Sequence, residues 1–512
     1  MKRLLLCSFC FLLSAFLFAQ DDTTSTPQWR PLYHFTPAKN WTNDPNGLLY
    51  VNGTYHLYNQ QNPFENHWGH MSWGHATSTD LIHWKHLPVA IPEAINGDDT
   101  VWRFSGSAVL DKNNTSGWCK TNNCIVAIYT GHQPHIRKES QFVAYSNDGG
   151  MTFTNYDKNP VIDLNKHDFR DPNVFWYEPG KFWLMTVVLP AEHKARFYSS
   201  PNLKDWTLLS EFGPQGYTGA YWECPFLVQL PVEGTNEKKW VLVTSAAGGE
   251  RGVFEQYFVG DFDGKEFKND NAPDKILTLD YGDTYYAAIP WNNTPGNKNI
   301  YIGWMVPNEQ PTYPWRGQMS IARDLSLRQT KDGLRLIQKP SSVVENELAK
   351  LSNNKIIELK NVALNNTEVD LSKNKIKGNA YWIKAELTLQ PNATAGFKIA
   401  QKKDADGKVI NETVIGYDAS THQLFVDRTN AGGKLNEKAL KRTIDLSDAS
   451  NKIQLEILLD KSSLEVFANN GEAALTTYIY PDEDADNFSA YSTGGNATID
   501  NLKIWDLSSV QQ

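Results

Sequence analysis

The sequence predicts an almost entirely β protein, with propeller-like repeats in its first part and a β-sandwich in its second. Three observations lead to this prediction: short segments that alternate polar and apolar residues, a strand–turn–aromatic motif that recurs, and a change of composition late in the chain. The 512 residues suffice for two or more domains, and a hydrophobic content of 40% is ordinary for a soluble globular protein.

The alternating segments are short and rich in Val, Ile, Tyr, Phe, Trp and Thr, with Gly, Asn, Asp and Pro between them. Examples are Tyr55–Tyr58, Ile125–Tyr129, Trp240–Thr244 and Ile300–Trp304. Alternation with a period of two indicates β-strands, and no long stretch keeps the 3.6-residue period of an amphipathic helix. The chain is therefore predicted to be all-β.

The recurrent motif is a polar turn closed by an aromatic residue. Ser78–Trp84 resembles Ser200–Trp206, while Ser146–Phe153 and Gly260–Phe267 are looser copies. The closing aromatics are 69, 53 and 61 residues apart. A repeat of about 50–70 residues with several strands per unit is typical of propeller blades, and four copies in order make coincidence the weaker interpretation.

The composition changes after the repeats end. Fifteen of the 17 Trp lie between Trp29 and Trp315, and the later part is rich in Lys and Asn with short strand patterns that suggest a sandwich. We place the boundary within Lys339–Val343. This predicts a propeller domain at residues 28–340 and a sandwich domain at residues 350–512.

The first 20 residues are predicted to be a secretory signal peptide. Lys2 and Arg3 precede an apolar run from Leu4 to Phe18, and Ala19 marks the cleavage region. The protein is thus predicted to be extracytoplasmic: secreted, periplasmic or on the cell surface. No other stretch approaches 18 apolar residues, so no membrane span is predicted, and a net charge of -9 argues against nucleic-acid binding.

Removal of the signal peptide leaves three cysteines, Cys119, Cys124 and Cys224. Three cysteines are too few for a disulfide scaffold, and the absence of a C-x-x-C pair excludes a zinc ribbon. The spacing of Cys119 and Cys124 allows a small disulfide-closed loop but also two free thiols.

Three carboxylates lie in rigid, aromatic-rich settings. Asp44 lies within Trp41–Gly47, Asp171 precedes Pro172, and Glu223 lies between Trp222 and Cys224. Acids from different blades can converge at a propeller axis. An acid and a nucleophile among Trp-rich segments predict glycoside hydrolysis.

These segments resemble motifs of glycoside hydrolase family 32, the β-fructosidases, which include invertases, inulinases and levanases. The matching motifs, in order, are W-x-N-D-P-N-G at 41–47, F-S-G-S at 104–107, R-D-P at 170–172 and E-C at 223–224. The resemblance covers about residues 30–510. It departs from the family pattern at Thr42 and Asn59, which replace bulkier residues. In D-x-G-x-D-x-Y-A, Thr284 replaces the second acid, so that either the adjacent Asp283 substitutes for it or the contact is lost.

The resemblance implies a five-bladed propeller followed by a β-sandwich, and a retaining, two-step cleavage of β-fructofuranosidic bonds. It assigns Asp44 as nucleophile, Glu223 as acid and base, and Asp171 as a non-reacting stabiliser of the transition state. The implied substrates are levan, inulin or both, with sucrose as a further candidate. A retaining enzyme requires the Asp44 and Glu223 carboxyls to be about 5–5.5 Å apart.

The resemblance also implies a pocket for the terminal fructose. The substrate-binding residues that it assigns are Trp41, Asn43, Gln60, Trp68, Phe104, Ser105, Arg170 and Trp304. No metal or organic cofactor is predicted, because carboxylates suffice for this chemistry. Loops 133–139 and 307–314 are expected to decide between endo and exo action, and the sequence does not fix the linkage or the oligomeric state.

Three alternatives remain open on the sequence. A fructosyltransferase would pass the fructosyl group to a sugar rather than to water. A propeller that catalyses no reaction would be a fructan-binding protein. The presence of all three acids argues against this alternative. An inverting enzyme on an unrelated five-bladed propeller would act on arabinans or xylans, which the W-x-N-D-P-N-G and E-C motifs disfavour.

Overall fold

The computed structural model describes residues 26–510 apart from 97–98, 121–122, 250–251, 308–310, 353–354, 373–375, 377, 433–434, 436–439 and 447–449. The predicted signal peptide therefore lies outside the described residues. One α-helix, α1 (Ser342–Leu351), follows the first part of the chain, and short 3-10 helices occur at Pro27–Trp29, Pro190–Glu192 and Pro295–Asn297. Within the described residues, no helix has the length and apolar character needed to cross a membrane.

Residues 40–340 form five twisted sheets, each a propeller blade. Blade 1 contains β1 (Asn40–Val51), β2 (Thr54–Asn62), β3 (Ser72–Ser78) and β4 (Lys85–Ile91). Blade 2 contains β5 (Ala94–Asn96), β6 (Asp99–Leu110), β7 (Ile125–Gln133), β8 (Lys138–Ser146), β9 (Thr154–Asn155) and β10 (Ile162–Lys166). Blade 3 contains β11 (Arg170–Tyr177), β12 (Phe182–Leu189), β13 (Lys194–Ser200) and β14 (Thr207–Phe212).

Blade 4 contains β15 (Tyr221–Pro231), β16 (Lys238–Ala247), β17 (Val253–Phe262) and β18 (Phe267–Asn269). Blade 5 contains β19 (Tyr285–Pro290), β20 (Ile300–Met305), β22 (Gln318–Met319), β23 (Arg323–Thr330) and β24 (Gly333–Pro340). The short strand β21 (Trp315–Arg316) returns to blade 1 and pairs with β1 in parallel. The inner strands β1, β6, β11, β15 and β19 contact one another in a closed ring.

The recurrent turn motif occupies the same place in four blades. In each copy the side chain of an Asp or Asn accepts hydrogen bonds from backbone amides two to four residues on; these residues are Asp80, Asp148, Asn202 and Asp263. The closing aromatics stand at or just before the outermost strands β4, β9, β14 and β18. Blade 5 joins its outer strands by a turn without this motif, which explains why the sequence shows only four copies.

Residues 356–506 form two six-stranded antiparallel sheets that pack face to face. The first contains β25 (Ile356–Leu364), β36 (Ala497–Asp506), β27 (Ala380–Leu389), β32 (Lys452–Asp460), β33 (Ser463–Ala468) and β34 (Ala473–Tyr478). The second contains β26 (Glu368–Asp370), β35 (Asn487–Thr493), β28 (Thr394–Lys403), β29 (Val409–Asp418), β30 (Gln423–Asp427) and β31 (Lys441–Asp445). One apolar core joins their inner faces. The predicted fold class, a five-bladed propeller followed by a β-sandwich, is confirmed.

A buried network of charges joins the propeller to the sandwich. The Arg323 guanidinium on β23 donates to Asp280 (3.0 Å) and to Glu465 on β33, and all three side chains are essentially inaccessible to solvent. The His34 ring bonds both Asp460 (2.8 Å) and Glu465 (2.9 Å). Burial alone would lower the pKa of His34, but its hydrogen bonds to these two carboxylates raise it to about 9.

The Asp283–Thr284 departure from the family motif lies at the same interface. The Asp283 carboxylate accepts a hydrogen bond from Arg428 (2.6 Å) and another from Thr477 (2.7 Å), both in the sandwich. The Thr284 hydroxyl donates to the carbonyl of Thr476 (3.1 Å). This segment therefore contacts the second domain through several groups, and the acid adjacent to Thr284 forms an interdomain ion pair.

Candidate active site

Each of the five inner strands is irregular at one level of the propeller axis. The pairing register shifts at 42/45 on β1, 103/106 on β6, 170/173 on β11, 223/226 on β15 and 286/289 on β19. Asp44, Ser105, Asp171 and Cys224 lie within four of these irregularities. Bulges redirect side chains next to active sites, and here they direct one polar side chain from each of four blades toward the axis.

Two of these residues have left-handed backbone conformations, with φ of 64° at Asp171 and 45° at Cys224. Such angles are uncommon for residues other than glycine and persist where the surrounding structure holds them. The Asp171 amide donates to the Thr130 hydroxyl (2.9 Å), and the Cys224 amide donates to the Asp171 carboxylate (2.9 Å). Hydrogen bonds from neighbouring side chains therefore hold the backbone at Asp171 and Cys224 in these conformations.

Asp44 is a buried carboxylate surrounded by hydrogen-bond donors. Its Oδ2 accepts from Ser105 Oγ (2.5 Å), Gln60 Nε2 (3.1 Å) and Cys224 Sγ (3.4 Å), while its Oδ1 accepts only from Asn43 Nδ2 (3.0 Å). Burial raises the pKa of Asp44, the donors Ser105 and Asn43 lower it, and the Glu223 charge raises it, with a net increase. Among the described residues, Oδ1 therefore has fewer hydrogen-bond donors than Oδ2.

Glu223 is the more open carboxylate, with 24% of its side chain exposed. Arg170 donates to Oε1 from both Nε (3.1 Å) and Nη2 (2.9 Å), and the Tyr286 hydroxyl donates to Oε2. Arg170 is itself held by Glu139 (3.1 Å) and Asp168 (3.0 Å). A carboxyl that is oriented by two fixed donors and still reached by solvent suits the exchange of a proton with substrate and water.

Asp171 is linked to Asp44 through Cys224, the residue that follows Glu223 in the chain. Its Oδ2 accepts from the Cys224 amide, and Cys224 Sγ lies 3.7 Å from the same oxygen. Burial raises the pKa of Asp171, the Arg170 charge opposes this, and the charges of Glu223 and Asp44 add to the increase. Asp44 and Asp171, the two buried acids, therefore both have pKa values above their usual range, because burial and neighbouring negative charge disfavour the ionised form.

Two tryptophans line one side of the site. Trp41 Nε1 donates to Asn43 Oδ1 (2.8 Å), which orients the amide that bonds Asp44. The Trp41 ring meets Trp304 edge to face at 6.0 Å, and Trp304 meets Tyr286 at 6.4 Å. This wall runs from the Asp44 side of the site to the Glu223 side.

Trp68 and Phe104 lie on another side. Phe104 directly precedes Ser105, and its ring lies 6.0 Å from the half-exposed Trp68. The structure therefore brings together all of the residues that the sequence assigned to the site, with Trp68 the outermost. Two of the three departures from the family pattern also meet: Asn59 Nδ2 donates to Thr42 Oγ1 (2.7 Å), and that hydroxyl donates to the Gln60 carbonyl (3.1 Å).

Sequence reasoning missed three residues that contact the acids or their partners. Tyr286 belongs to the D-x-G-x-D-x-Y-A segment, whose acids are its most distinctive feature in the sequence. Its hydroxyl donates a hydrogen bond to Glu223. Cys224 was recognised only as part of the E-C motif, and its thiol bonds Asp44. Glu139 closes the segment 133–139 that was expected to decide between endo and exo action; the structure places it on β8, where its carboxylate accepts a hydrogen bond from Arg170.

Comparison with known proteins places the chain in one family. Residues 34–340 match the glycosyl hydrolases family 32 N-terminal domain, and residues 347–506 match the glycosyl hydrolases family 32 C terminal. The chain belongs to glycosyl hydrolase family 32. Within the family it is 42% identical to a levanase of Bacillus subtilis (strain 168), over 96% of this chain and 72% of that protein. It is 37% identical to an extracellular exo-inulinase of Aspergillus awamori, over 94% of this chain and 95% of that protein.

Solved structures of family 32 enzymes have the same fold. The crystal structure of the Aspergillus awamori exo-inulinase superposes with a TM-score of 0.85 at 36% identity, covering 94% of this chain and 99% of that one. A fructofuranosidase variant from Schwanniomyces occidentalis complexed with fructosylnystose gives a TM-score of 0.84 at 31% identity, covering 94% and 98%. The architecture is therefore shared over nearly the whole chain.

The cysteines of this family 32 member give a simple test of the site. Cys119 and Cys124 form a disulfide, and Cys224 is a free, buried thiol. Burial raises the pKa of Cys224 well above its usual value, and the neighbouring charges of Asp171 and Asp44 raise it further. In protein produced from residue 21 onward, we expect Ellman's reagent to label no thiol in the native state and one thiol per chain in denaturant. A rapidly labelled native thiol, or three thiols after unfolding, would contradict this arrangement.

Proposed function

We propose that the protein is a retaining β-fructofuranosidase in which Asp44 is the nucleophile and Glu223 the acid and base. The observation that carries the proposal is the contrast between the two carboxyl environments. Asp44 is buried and fixed by side-chain donors, whereas Glu223 is partly open and oriented by Arg170 and Tyr286. A fixed anion and an accessible proton carrier are the two groups that a retaining glycosidase requires.

In the first step, Asp44 Oδ1 forms a bond to the anomeric carbon of the fructofuranosyl unit as the bond to the leaving oxygen breaks. Glu223 gives its proton to that oxygen, and a covalent fructosyl-enzyme ester results. The donors on Asp44 Oδ2 hold the carboxylate so that Oδ1 is directed to the reacting carbon. Asp171 stays unreacted and balances positive charge that develops on the ring.

In the second step, water replaces the leaving group. Glu223, now ionised, accepts a proton from the water as its oxygen attacks the anomeric carbon, and the ester to Asp44 breaks. The enzyme returns to its starting protonation state with one fructose released. The net configuration is retained because each step inverts it once.

Fructans are the proposed substrates. The relatives named levanase and exo-inulinase, and the structure complexed with fructosylnystose, are similar to this chain over most of its length. Trp41, Trp68, Phe104 and Trp304 supply apolar faces, while Asn43, Gln60, Ser105 and Arg170 supply polar atoms, a combination that suits a sugar. Export from the cytoplasm is part of the proposal, supported by the signal-like first 20 residues and by the relatives described as extracellular.

The experiment is a time course of purified enzyme on levan, inulin and sucrose, followed by chromatography and by NMR of the first product. We expect fructose in its β-furanose form to appear before mutarotation. Early α-fructofuranose would contradict retention, and no product from any of the three substrates would contradict the function. Fructose alone from the start would indicate exo action, and an early ladder of oligosaccharides would indicate endo action.

A further inference from the structure

Aromatic rings continue outward from the site across the top of blades 1 and 2. We call this set the aromatic shelf; it consists of Phe64, Trp68, His70, Trp102, Phe104 and His132. Neighbouring rings are close: Phe104–His132 4.4 Å, Trp68–Trp102 5.3 Å, Phe64–His70 5.4 Å, Trp102–His132 5.8 Å and His70–Trp102 6.2 Å between centroids. The shelf is therefore one continuous surface rather than scattered rings.

The strand pairing explains why these rings share a face. Trp102 on β6 lies directly opposite His132 on β7, and residues directly opposite on neighbouring strands project from the same face. Phe104 lies in the irregular part of β6, and its ring stacks on the His132 ring at this face. Trp68 and His70 reach this face from the loop between β2 and β3.

The outer part of the shelf is open to solvent. Phe64 is 65% exposed and Trp68 51% exposed, and the His70 side chain is 49% exposed. Contiguous exposed aromatic surface is costly in water, and on a soluble protein it marks a place where something binds. His70 also pairs with Glu93 (3.0 Å), which places a polar edge beside the rings.

The inner end of the shelf is linked to both catalytic carboxylates through intervening residues. Phe104 is adjacent to Ser105, whose hydroxyl donates to Asp44. His132 Nδ1 lies 3.3 Å from Glu139, which holds the Arg170 that bonds Glu223. A chain that leaves the pocket on the Glu223 side, where the leaving oxygen is protonated, therefore meets His132 and then Trp102.

We propose that the aromatic shelf binds the fructosyl units that follow the scissile bond on the leaving-group side, and so favours fructan chains over sucrose. The proposal rests on the proposed function and deepens it. Sugars stack their C–H faces on aromatic rings and direct hydroxyls to flanking polar groups, which the shelf supplies through its rings and through His70, Glu93 and His132. Trp68 and Phe104 also border the pocket, so Phe64, His70, Trp102 and His132 are the residues newly assigned.

The test compares Phe64→Ala and Trp102→Ala with wild type on sucrose, on fructo-oligosaccharides of three and four units, and on levan and inulin. For the polymers that the wild type cleaves, we expect KM to rise at least about fivefold with little change in kcat, because loss of a well-placed aromatic contact typically exceeds about 1 kcal/mol. For sucrose we expect a change below about twofold, as for other surface substitutions. The increase is expected to grow with chain length.

Leu208→Ala is the matched control, since Leu208 is 46% exposed on β14, the outermost strand of blade 3. The Leu208→Ala substitution should change neither KM nor kcat for any of the substrates. Equal losses on sucrose and polymer, or no loss on polymer in both variants, would overturn the shelf proposal while the wild-type activity stands. A wild type that cleaves none of the substrates would instead overturn the proposed function itself. Phe64 is mostly exposed, so its truncation leaves the core intact.

Discussion

Replacement of Asp44 by Asn is expected to lower kcat on fructans and sucrose at least about 10⁴-fold, as removal of a nucleophile does in other enzymes. The amide keeps the size of the carboxylate but cannot form the ester to the anomeric carbon. Gln60, Ser105 and Asn43, which donate to the carboxylate, remain in place. Substrate binding should therefore survive while turnover is lost.

The measurement is single-turnover and steady-state kinetics, with binding of a fructo-oligosaccharide followed by calorimetry. Asp263→Asn is a matched control, because Asp263 caps a surface turn that Asn202 caps in the neighbouring blade. This control should be fully active. Glu223→Ala tests the proposed acid and base, and we expect it to lower kcat by about 10²–10⁴-fold. Near wild-type turnover by Asp44→Asn would contradict the assignment of Asp44 as the nucleophile. Near wild-type turnover by Glu223→Ala would contradict the assignment of Glu223 as the acid.

An Asp44→Asn protein that binds oligosaccharide without turnover would also separate two alternatives that the sequence left open. A fructan-binding protein would bind equally well before and after the substitution and would release no product in either form. A fructosyltransferase would lose activity as a hydrolase does, but its wild type would build longer oligosaccharides from sucrose rather than release fructose. The product profile of the wild type distinguishes these two.

The propeller repeats were predictable because each of the four turn motifs is encoded by a short, continuous stretch of sequence. Asp80, Asp148, Asn202 and Asp263 cap equivalent turns by bonding nearby backbone amides, so each leaves a signature within a few residues. The number of blades was not readable this way, since blade 5 uses a different turn and its first strand follows a segment that contacts the sandwich. Only the resemblance to a family supplied the count.

The sequence predicts which residues form the candidate site, but it does not predict how they approach one another. Asp44, Asp171 and Glu223 stand in distinctive motifs, whereas their approach depends on irregularities in strands from different blades. Such irregularities result from non-local pairing, which no short segment encodes. The same reason hid Tyr286, whose hydroxyl reaches Glu223 only because β19 closes the ring between β15 and β1.

The interface between the domains gives the second large effect. We expect Arg323→Met to lower the free energy of unfolding by about 3–5 kcal/mol, because it removes one partner of a buried ion pair and leaves the other charges uncompensated. The guanidinium bonds Asp280, Glu465 and Thr476 with no access to water, and it lies over the Tyr285 ring at 4.2 Å. Met fills similar volume, so the loss reports mainly on charge. The measurement is guanidinium unfolding followed by tryptophan fluorescence.

Arg328→Met is the matched control on the same strand. Arg328 pairs with Glu233 (2.7 Å) at a side-chain exposure of 31%, and a pair of this kind contributes only about 0–1 kcal/mol. Equal effects of the two substitutions would mean that the buried network adds nothing beyond a surface pair. A loss below about 1 kcal/mol for Arg323→Met would mean the same, because breaking a buried pair typically costs several times more.

The pH dependence of this loss follows from Glu465. Burial alone would raise the pKa of Glu465, but the charge of Arg323 and the hydrogen bond from His34 lower it below its usual value of 4.5. Without Arg323, burial acts with less opposition, so the pKa of Glu465 rises in the folded variant. An acid whose pKa is raised in the folded state destabilises the protein at neutral pH. The lost free energy of unfolding is regained as the pH falls through that pKa. The difference between wild type and Arg323→Met should therefore narrow as the pH falls toward and below 4.5, the usual pKa of Glu465, whereas a pure packing defect would leave it constant.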